Sequence, residues 1–114
     1  MTQSNAATTD PVPTVAPAGA LDLASSRGLQ TRLAELAGEH GHYAILDLSR
    51  VSFIDSVGLG VVLKAANRFH RQSKRLFIVA PEGPVHRILD FAGVTDRLSV
   101  VDTVDEARAV IRHG

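Results

Sequence analysis

Ile54-Asp55-Ser56-Val57-Gly58-Leu59-Gly60-Val61-Val62-Leu63 is the stretch around which the rest of the chain is organised. A β-rich apolar segment ends at Ile54. An acid, a hydroxyl and two spaced glycines follow, and apolar residues then resume at helical spacing. The pattern predicts a strand that runs directly into a helix N-terminus near Ser56, and this junction is where function is expected.

Working outward, the helix after Ser56 tests well at 100° per residue. Leu59, Val62, Leu63, Ala66 and Phe69 collect on one face, which should pack on a sheet. Val57, Val61, Lys64 and Arg68 collect on the opposite face, a mixed stripe that a plain solvent face does not require. Upstream, Tyr43 to Leu48 is apolar on both alternating faces, as expected of an interior strand covered by helices on both sides, and Val51 and Phe53 continue that apolar path toward Ile54. Downstream, Arg75 to Ala80 is another β-rich run, closed by Pro81 and Gly83.

The remaining elements fit the same alternation. Gly19-Ala20-Leu21-Asp22-Leu23 opens the ordered part, and Ser25 and Ser26 are expected to cap a helix carrying Leu29, Leu33, Leu36 and Ala37, stopped by Gly38. Val85, Ile88, Leu89 and Ala92 form a short helical stripe ending at Gly93. Leu98 to Val101 is a last strand, and Thr103 to Glu106 has capping-box spacing for a final helix to about Arg112. Strands alternating with helices predict a single α/β domain. The expected sheet has four or five strands, is mixed but mainly parallel with right-handed crossovers, and carries about four helices.

The start of the chain reads differently. Residues 1–18 are rich in Ala, Thr and Pro, and Pro11, Pro13 and Pro17 remove backbone donors at close intervals. Val12 and Val15 fit a sheet edge, but a flexible tail followed by a domain over residues 19–114 is the main expectation. That leaves a domain of about 95 residues, within the ordinary single-domain range.

Composition narrows the function classes. The 114 residues carry 12 Lys plus Arg and 12 Asp plus Glu, for a formal net charge of zero, so no global field favours nucleic acid or anionic lipid. A protein partner or small ligand is expected instead. The chain has no cysteine, which removes disulfides, zinc thiolates and thiol nucleophiles together. The first twenty residues lack a basic start and an apolar core, and no apolar run approaches the roughly 20 residues of a membrane span. A cytoplasmic protein without membrane contact is the expectation.

The serine at the junction has two compatible readings. Asp55 or Ser56 caps the helix while Gly58 and Gly60 permit close packing, or Ser56 accepts a phosphate, because a helix N-terminus stabilises an anion through free amides and its dipole. The segment lacks the spacing and the Lys-Ser/Thr pair of a P-loop. It also lacks the glycine flanks of a nucleophile elbow, so neither nucleotide hydrolysis nor serine-hydrolase chemistry is expected. His40, His42, His70, His86 and His113 follow no metal-ligand spacing, and no metal site is expected.

Asp55-Ser56-Val57-Gly58-Leu59-Gly60 resembles the Asp-Ser-x-Gly-Leu-Gly signature of STAS-domain anti-sigma factor antagonists. The order of elements agrees from about Gly19 onward, with Gly19-Ala20-Leu21-Asp22 where that family usually has Gly-Glu-Leu-Asp. The resemblance implies that Ser56 is phosphorylated by an anti-sigma factor that is also a serine kinase. The unphosphorylated protein would bind that partner and free a sigma factor, and a phosphatase would reset the switch. ATP would belong to the kinase, so no cofactor is implied, and the chain itself would be no enzyme. Asp22 would lie near the same surface as Asp55. Two departures stand out: Ala20 replaces the family's acid, and the proline-rich tail occupies the place of a longer first strand.

On this reading Ser56 is the modified residue, and Asp22, Asp55, Val57, Gly58, Val61, Lys64 and Arg68 form the partner surface of a monomer or weak dimer. A non-phosphorylated STAS scaffold, serving a transporter or a larger signalling complex, is the alternative.

Overall fold

The computed structural model describes residues 12–39, 41–93 and 98–113. Strands β1 (Thr14–Val15), β2 (Gly19–Leu21), β3 (Tyr43–Asp47), β4 (Val51–Ile54), β5 (Arg75–Val79) and β6 (Ser99–Val101) alternate with helices α1 (Leu23–Ala37), α2 (Ser56–Arg71), α3 (Pro84–Phe91) and α4 (Val104–His113). The strands form a four-stranded sheet in the order β1-β3-β5-β6 and a separate β2-β4 pair. Every ladder among the described residues is parallel. Helices therefore start at the carboxyl ends of the strands that precede them, and their N-termini share one end of the molecule.

The double-sided pattern of β3 and β5 determines the layers. Ala44, Leu46, Leu76 and Ile78 point into a core shared with Leu29, Leu33, Val62, Phe69 and Leu89 of α1, α2 and α3. Ile45, Phe77 and Val79 point the other way and pack against Ala107 of α4. Burying each of the Leu, Ile, Val and Phe side chains among them contributes roughly 1.5–3 kcal/mol, which makes these two strands the centre of the fold. Lys74 ties the elements at the opposite end of the sheet. Its ammonium donates to the carbonyls of Ala37 (2.7 Å) and Glu39 (2.6 Å), satisfying the C-terminal end of α1 from the start of β5.

The N-terminal segment departs from expectation. Thr14 and Val15 pair in parallel with Ile45 and Leu46, and the Ile45 amide donates to the Pro13 carbonyl at 2.9 Å. Val12 and Val15 pack on opposite sides of the sheet. The domain thus begins before residue 19, and residues 12–18 are not tail; residues 1–11 lie outside the described residues. Proline at an edge strand costs little, because it keeps its carbonyl and only one side of the strand needs partners.

Deleting residues 1–17 should therefore destabilise the domain and expose the edge of β3. The expected result is a Tm lower by roughly 4–8 °C per kcal/mol lost, with aggregation on heating. Thermal unfolding followed together with light scattering checks this; an unchanged Tm would return β1 to the tail.

Candidate functional site

The β2-β4 pair builds the site. Leu21 is registered opposite Ile54, and the Asp55 amide donates to the Leu21 carbonyl at 3.1 Å. The next residue on each strand, Asp22 and Asp55, therefore stands at the carboxyl end of neighbouring strands. Each is the N-cap of the helix that follows. Asp22 Oδ1 accepts from the amides of Ala24 (3.1 Å) and Ser25 (3.2 Å), and Asp55 Oδ1 accepts from the Gly58 amide at 2.8 Å. A carboxylate in this position satisfies an orphan donor and meets the positive end of the helix dipole.

The first cap corrects the sequence reading. Asp22, rather than Ser25 or Ser26, caps α1. Ser25 completes a capping box by accepting from the Asp22 amide at 3.0 Å, and its hydroxyl donates to the Ala20 carbonyl at 2.8 Å. The Asp-x-x-Ser spacing was the signal for this. Ser26 is buried, and its hydroxyl has no partner among the described residues. At the last helix the expected box is only half formed: Thr103 Oγ1 accepts from the Glu106 amide at 3.0 Å, while Glu106 Oε1 accepts from Asp102 rather than Thr103.

Because Asp55 takes the cap, Ser56 is released from it. Ser56 is the first residue of α2, its side chain is exposed, and its hydroxyl makes no hydrogen bond among the described residues. The amides of Ser56 and Val57 likewise have no backbone partner there. Val57 is 41% exposed, and Lys64 and Arg68 are exposed further along α2. These four residues are where the helical pattern put them.

Gly58 and Val61 are not surface residues. Gly58 is buried, and a Cβ built on it would collide with the Leu21 carbonyl oxygen and come within 3.0 Å of the Leu21 and Ile54 side chains. Glycine here lets the first turn of α2 lie directly on the end of β2. Gly60 has no such role, since a Cβ there meets nothing within 4 Å. Val61 is 7% exposed and belongs to the main core. The cause is α1, which packs beside α2 over the stripe read from sequence as an exposed partner surface. Val61 becomes the floor of a shallow groove between the two helices, with Leu33 beside it and Lys64, Arg68 and Arg71 along the rim. Two faces of α2 are buried, one by the sheet and one by α1. Phe53 shows the reverse error: Val51 and Ile54 point inward, leaving Phe53 on the apolar path but 52% exposed.

Among the described residues no cluster of His, Cys, Asp or Glu could hold a metal ion. His86 Nδ1 lies 2.8 Å from the Ala80 carbonyl, a structural contact. His42, His70 and His113 are exposed, and His40 lies outside the described residues. No helix among the described residues is long and apolar enough to cross a membrane.

With that geometry in place, the family follows from comparison. A family model of the STAS domain matches residues 3–107. The chain belongs to the STAS-domain family. It is 28% identical over 82 residues to an anti-sigma-B factor antagonist of Staphylococcus epidermidis, covering 72% of this chain and 76% of that protein. It is 25% identical over 96 residues to the anti-sigma-F factor antagonist RsfB of Mycobacterium tuberculosis, covering 84% and 78%. Among solved structures, an anti-sigma factor antagonist from Mycobacterium paratuberculosis superposes with a TM-score of 0.79 at 21% identity, covering 87% of this chain and 84% of that one. A sulfate transporter family protein from Wolinella succinogenes does so with a TM-score of 0.73 at 20% identity, covering 89% and 84%. These two structural likenesses establish the STAS fold, which is shared by relatives with different roles.

Three substitutions in α2 separate the roles of its residues. Gly58→Ala should destabilise by roughly 1–3 kcal/mol through overpacking, whereas Gly60→Ala should stabilise by roughly 0.5–1 kcal/mol by removing glycine from a helix interior. Val61→Glu, which forces a carboxylate into the core position beside Leu33, should cost roughly 1–3 kcal/mol even with Lys64 and Arg68 on the rim. Denaturant unfolding of the three variants reads all three effects; a folded Val61→Glu of wild-type stability would return Val61 to the surface.

Proposed function

We propose that this chain is an anti-sigma factor antagonist, a regulator that acts by binding and is not itself an enzyme. In the unphosphorylated state it binds an anti-sigma factor that is also a serine kinase, and it loses that partner once Ser56 is phosphorylated. The observation that carries the reading is the division of labour at the start of α2. Asp55 does the capping, so the Ser56 hydroxyl is exposed and free to be modified without cost to the helix. The names of the relatives in Staphylococcus epidermidis and Mycobacterium tuberculosis support the same class of function.

The electrostatics give the switch its sign. A phosphoserine carries about −1.5 to −2 charges at neutral pH. Within the fold this is tolerated, because the free amides of Ser56 and Val57 and the helix dipole favour an anion by roughly 0.3–1 kcal/mol. Within an interface it is not, because the phosphate stands beside Asp55, with Asp22 on the neighbouring strand. Uncompensated like charge in an interface costs several kcal/mol, and about 1.4 kcal/mol is already tenfold in affinity. Exclusion of the partner then needs no conformational change. The partner surface is read as Ser56, Val57, Lys64 and Arg68, with Asp22 and Asp55 at its rim and Gly58 and Val61 acting from beneath.

A non-phosphorylated scaffold role is the second reading, favoured by the structural likeness to a transporter-family STAS protein. Incubation with a cognate kinase and ATP followed by intact-mass measurement separates the two. The expected outcome is addition of one phosphoryl group to the wild type and none to Ser56→Ala. Ser56→Ala should keep wild-type stability within about 0.5 kcal/mol and remain bound to the anti-sigma factor, while Ser56→Asp should bind at least about tenfold more weakly. Equal affinity of the two variants for an isolated partner would sink the electrostatic mechanism.

A further inference from the structure

Helix α2 (Ser56–Arg71) contains no Asp or Glu, and helix α1 (Leu23–Ala37) contains a single one, Glu35. Glu35 is exposed and pairs with Arg32 at 3.6 Å, and neither residue lines the groove between the two helices. Lys64, Arg68 and Arg71 do line it. They follow one another at intervals of four and three residues, which stacks them on one stripe of α2 in line with Val61. All three are exposed, and none makes an ion pair or side-chain hydrogen bond among the described residues. Like charges at this spacing repel, so the stripe is unfavourable to the helix that carries it. The walls of the groove come from Gln30 to Ala34 on α1 and Val61 to Arg71 on α2, two stretches described throughout.

The groove holds about 280 Å³, below the roughly 300–1,000 Å³ of small-molecule sites. It is sized for a few side chains of another protein. Its floor is Leu33, Val61 and Ala65, all buried and aliphatic. At a rise of about 1.5 Å per residue, the stretch from Val61 to Arg71 is roughly 15 Å long, about three helical turns. An apolar floor beneath a cationic rim fits an occupant of the complementary pattern, apolar on one face and acidic on its flanks. Polynucleotide phosphates would meet the cations but leave the aliphatic floor uncovered, and the formal net charge of zero gives no long-range attraction for them.

Resting on the reading of this chain as an anti-sigma factor antagonist, we propose that the groove docks an acidic amphipathic helix of the anti-sigma factor. That helix lays an aliphatic residue over Val61 and Leu33 and sets carboxylates against Lys64, Arg68 and Arg71, recognition of the helix-in-groove kind. The guanidinium forks of Arg68 and Arg71 each suit a carboxylate held by two parallel hydrogen bonds. Bound carboxylates also relieve the repulsion along the stripe. Val61 stands about 7.5 Å along the helix axis from Ser56, so docking and modification occupy different parts of α2. The groove sets affinity and register, and the residue at the helix start carries the switch.

A synthetic helix of about 18 residues, with Leu at i, i+3, i+4 and i+7 and Glu on both flanks, is titrated into the full chain and followed by amide NMR shifts. The expected result is saturable shifts concentrated at Gln30, Leu33, Ala34, Val61, Lys64 and Arg68, with binding that weakens as salt is raised. A counterpart with Lys in place of every Glu should not bind. Arg68→Glu should weaken binding about tenfold with a melting curve no lower than that of the wild type. The isosteric Gln30→Glu, which places an acid in the groove wall, should weaken it several-fold. Arg112→Glu makes the same charge change on α4, across the sheet, and should leave binding unaltered. Equal binding of the Lys peptide, equal loss in Arg112→Glu, or shifts spread outside the groove would overturn the proposal. So would duplex DNA, phosphatidylserine vesicles or a second copy of the chain binding through Arg68, since each assigns the groove to another occupant. Purified anti-sigma factor separates this proposal from the switch. Partner binding and Ser56 phosphorylation that survive Arg68→Glu at wild-type strength overturn the groove alone. Charge-dependent docking in a chain whose Ser56 is never phosphorylated overturns the switch alone and upholds docking of an acidic helix.

Discussion

The contact between Gly58 and the carbonyl of Leu21 is the constraint on which the site depends. A helix normally keeps its distance from a neighbouring strand by the length of a side chain. Here a missing Cβ lets the first turn of α2 lie directly on the end of β2. That approach seats α2 on the paired ends of β2 and β4, whose ladder sets side by side the two aspartates that cap α1 and α2. Ser56, the first residue of that turn, makes no side-chain hydrogen bond among the described residues. The hydroxyl is left over because Asp55 takes the cap of α2.

Both carboxylates are committed to helix amides, and this shapes what the surface can be. Asp22 and Asp55 keep fixed orientations, because each accepts from backbone groups that cannot move without unwinding a turn. Their negative charge is offset locally by two helix dipoles, so the rim is acidic in outline but not strongly repulsive to itself. A further charge on Ser56 would alter the balance for an approaching molecule more than for the fold. At the other end of the sheet the distribution is reversed, with cations near the carbonyl ends of α1 and α2. The net charge of zero therefore describes a molecule whose charge is unevenly placed.

Much of this arrangement was legible in the chain. Tyr43 to Leu48 and Arg75 to Ala80 read as strands covered on two sides because no polar alternation interrupts them, and the start of α2 at Ser56 followed from the acid, hydroxyl and glycines. What the sequence could not convey was what packs beside what. Val61 lies on the same helical stripe as Val57 and Lys64, and only the position of α1, a tertiary fact, buries one valine and leaves the other exposed. β1 was obscured because three prolines argue against a strand in the middle of a sheet, yet an edge strand of two residues needs few donors. The cap at Asp22 was hidden by two serines that are themselves good caps a turn later. Gly60 was grouped with Gly58 by composition, and only the space around each separates them.

The pairing of Leu21 with Ile54 has a consequence for molecular recognition. Asp22 and Asp55 are distant in the chain and become neighbours only when β2 lies alongside β4 and both following helices are wound. A molecule that contacts the two together reads a conformational epitope. No linear peptide cut from this chain reproduces it, and a partly unfolded copy does not present it. Recognition at that rim would then act as a proofreading step for the folded state, accepting only chains in which the β2-β4 pair is in register.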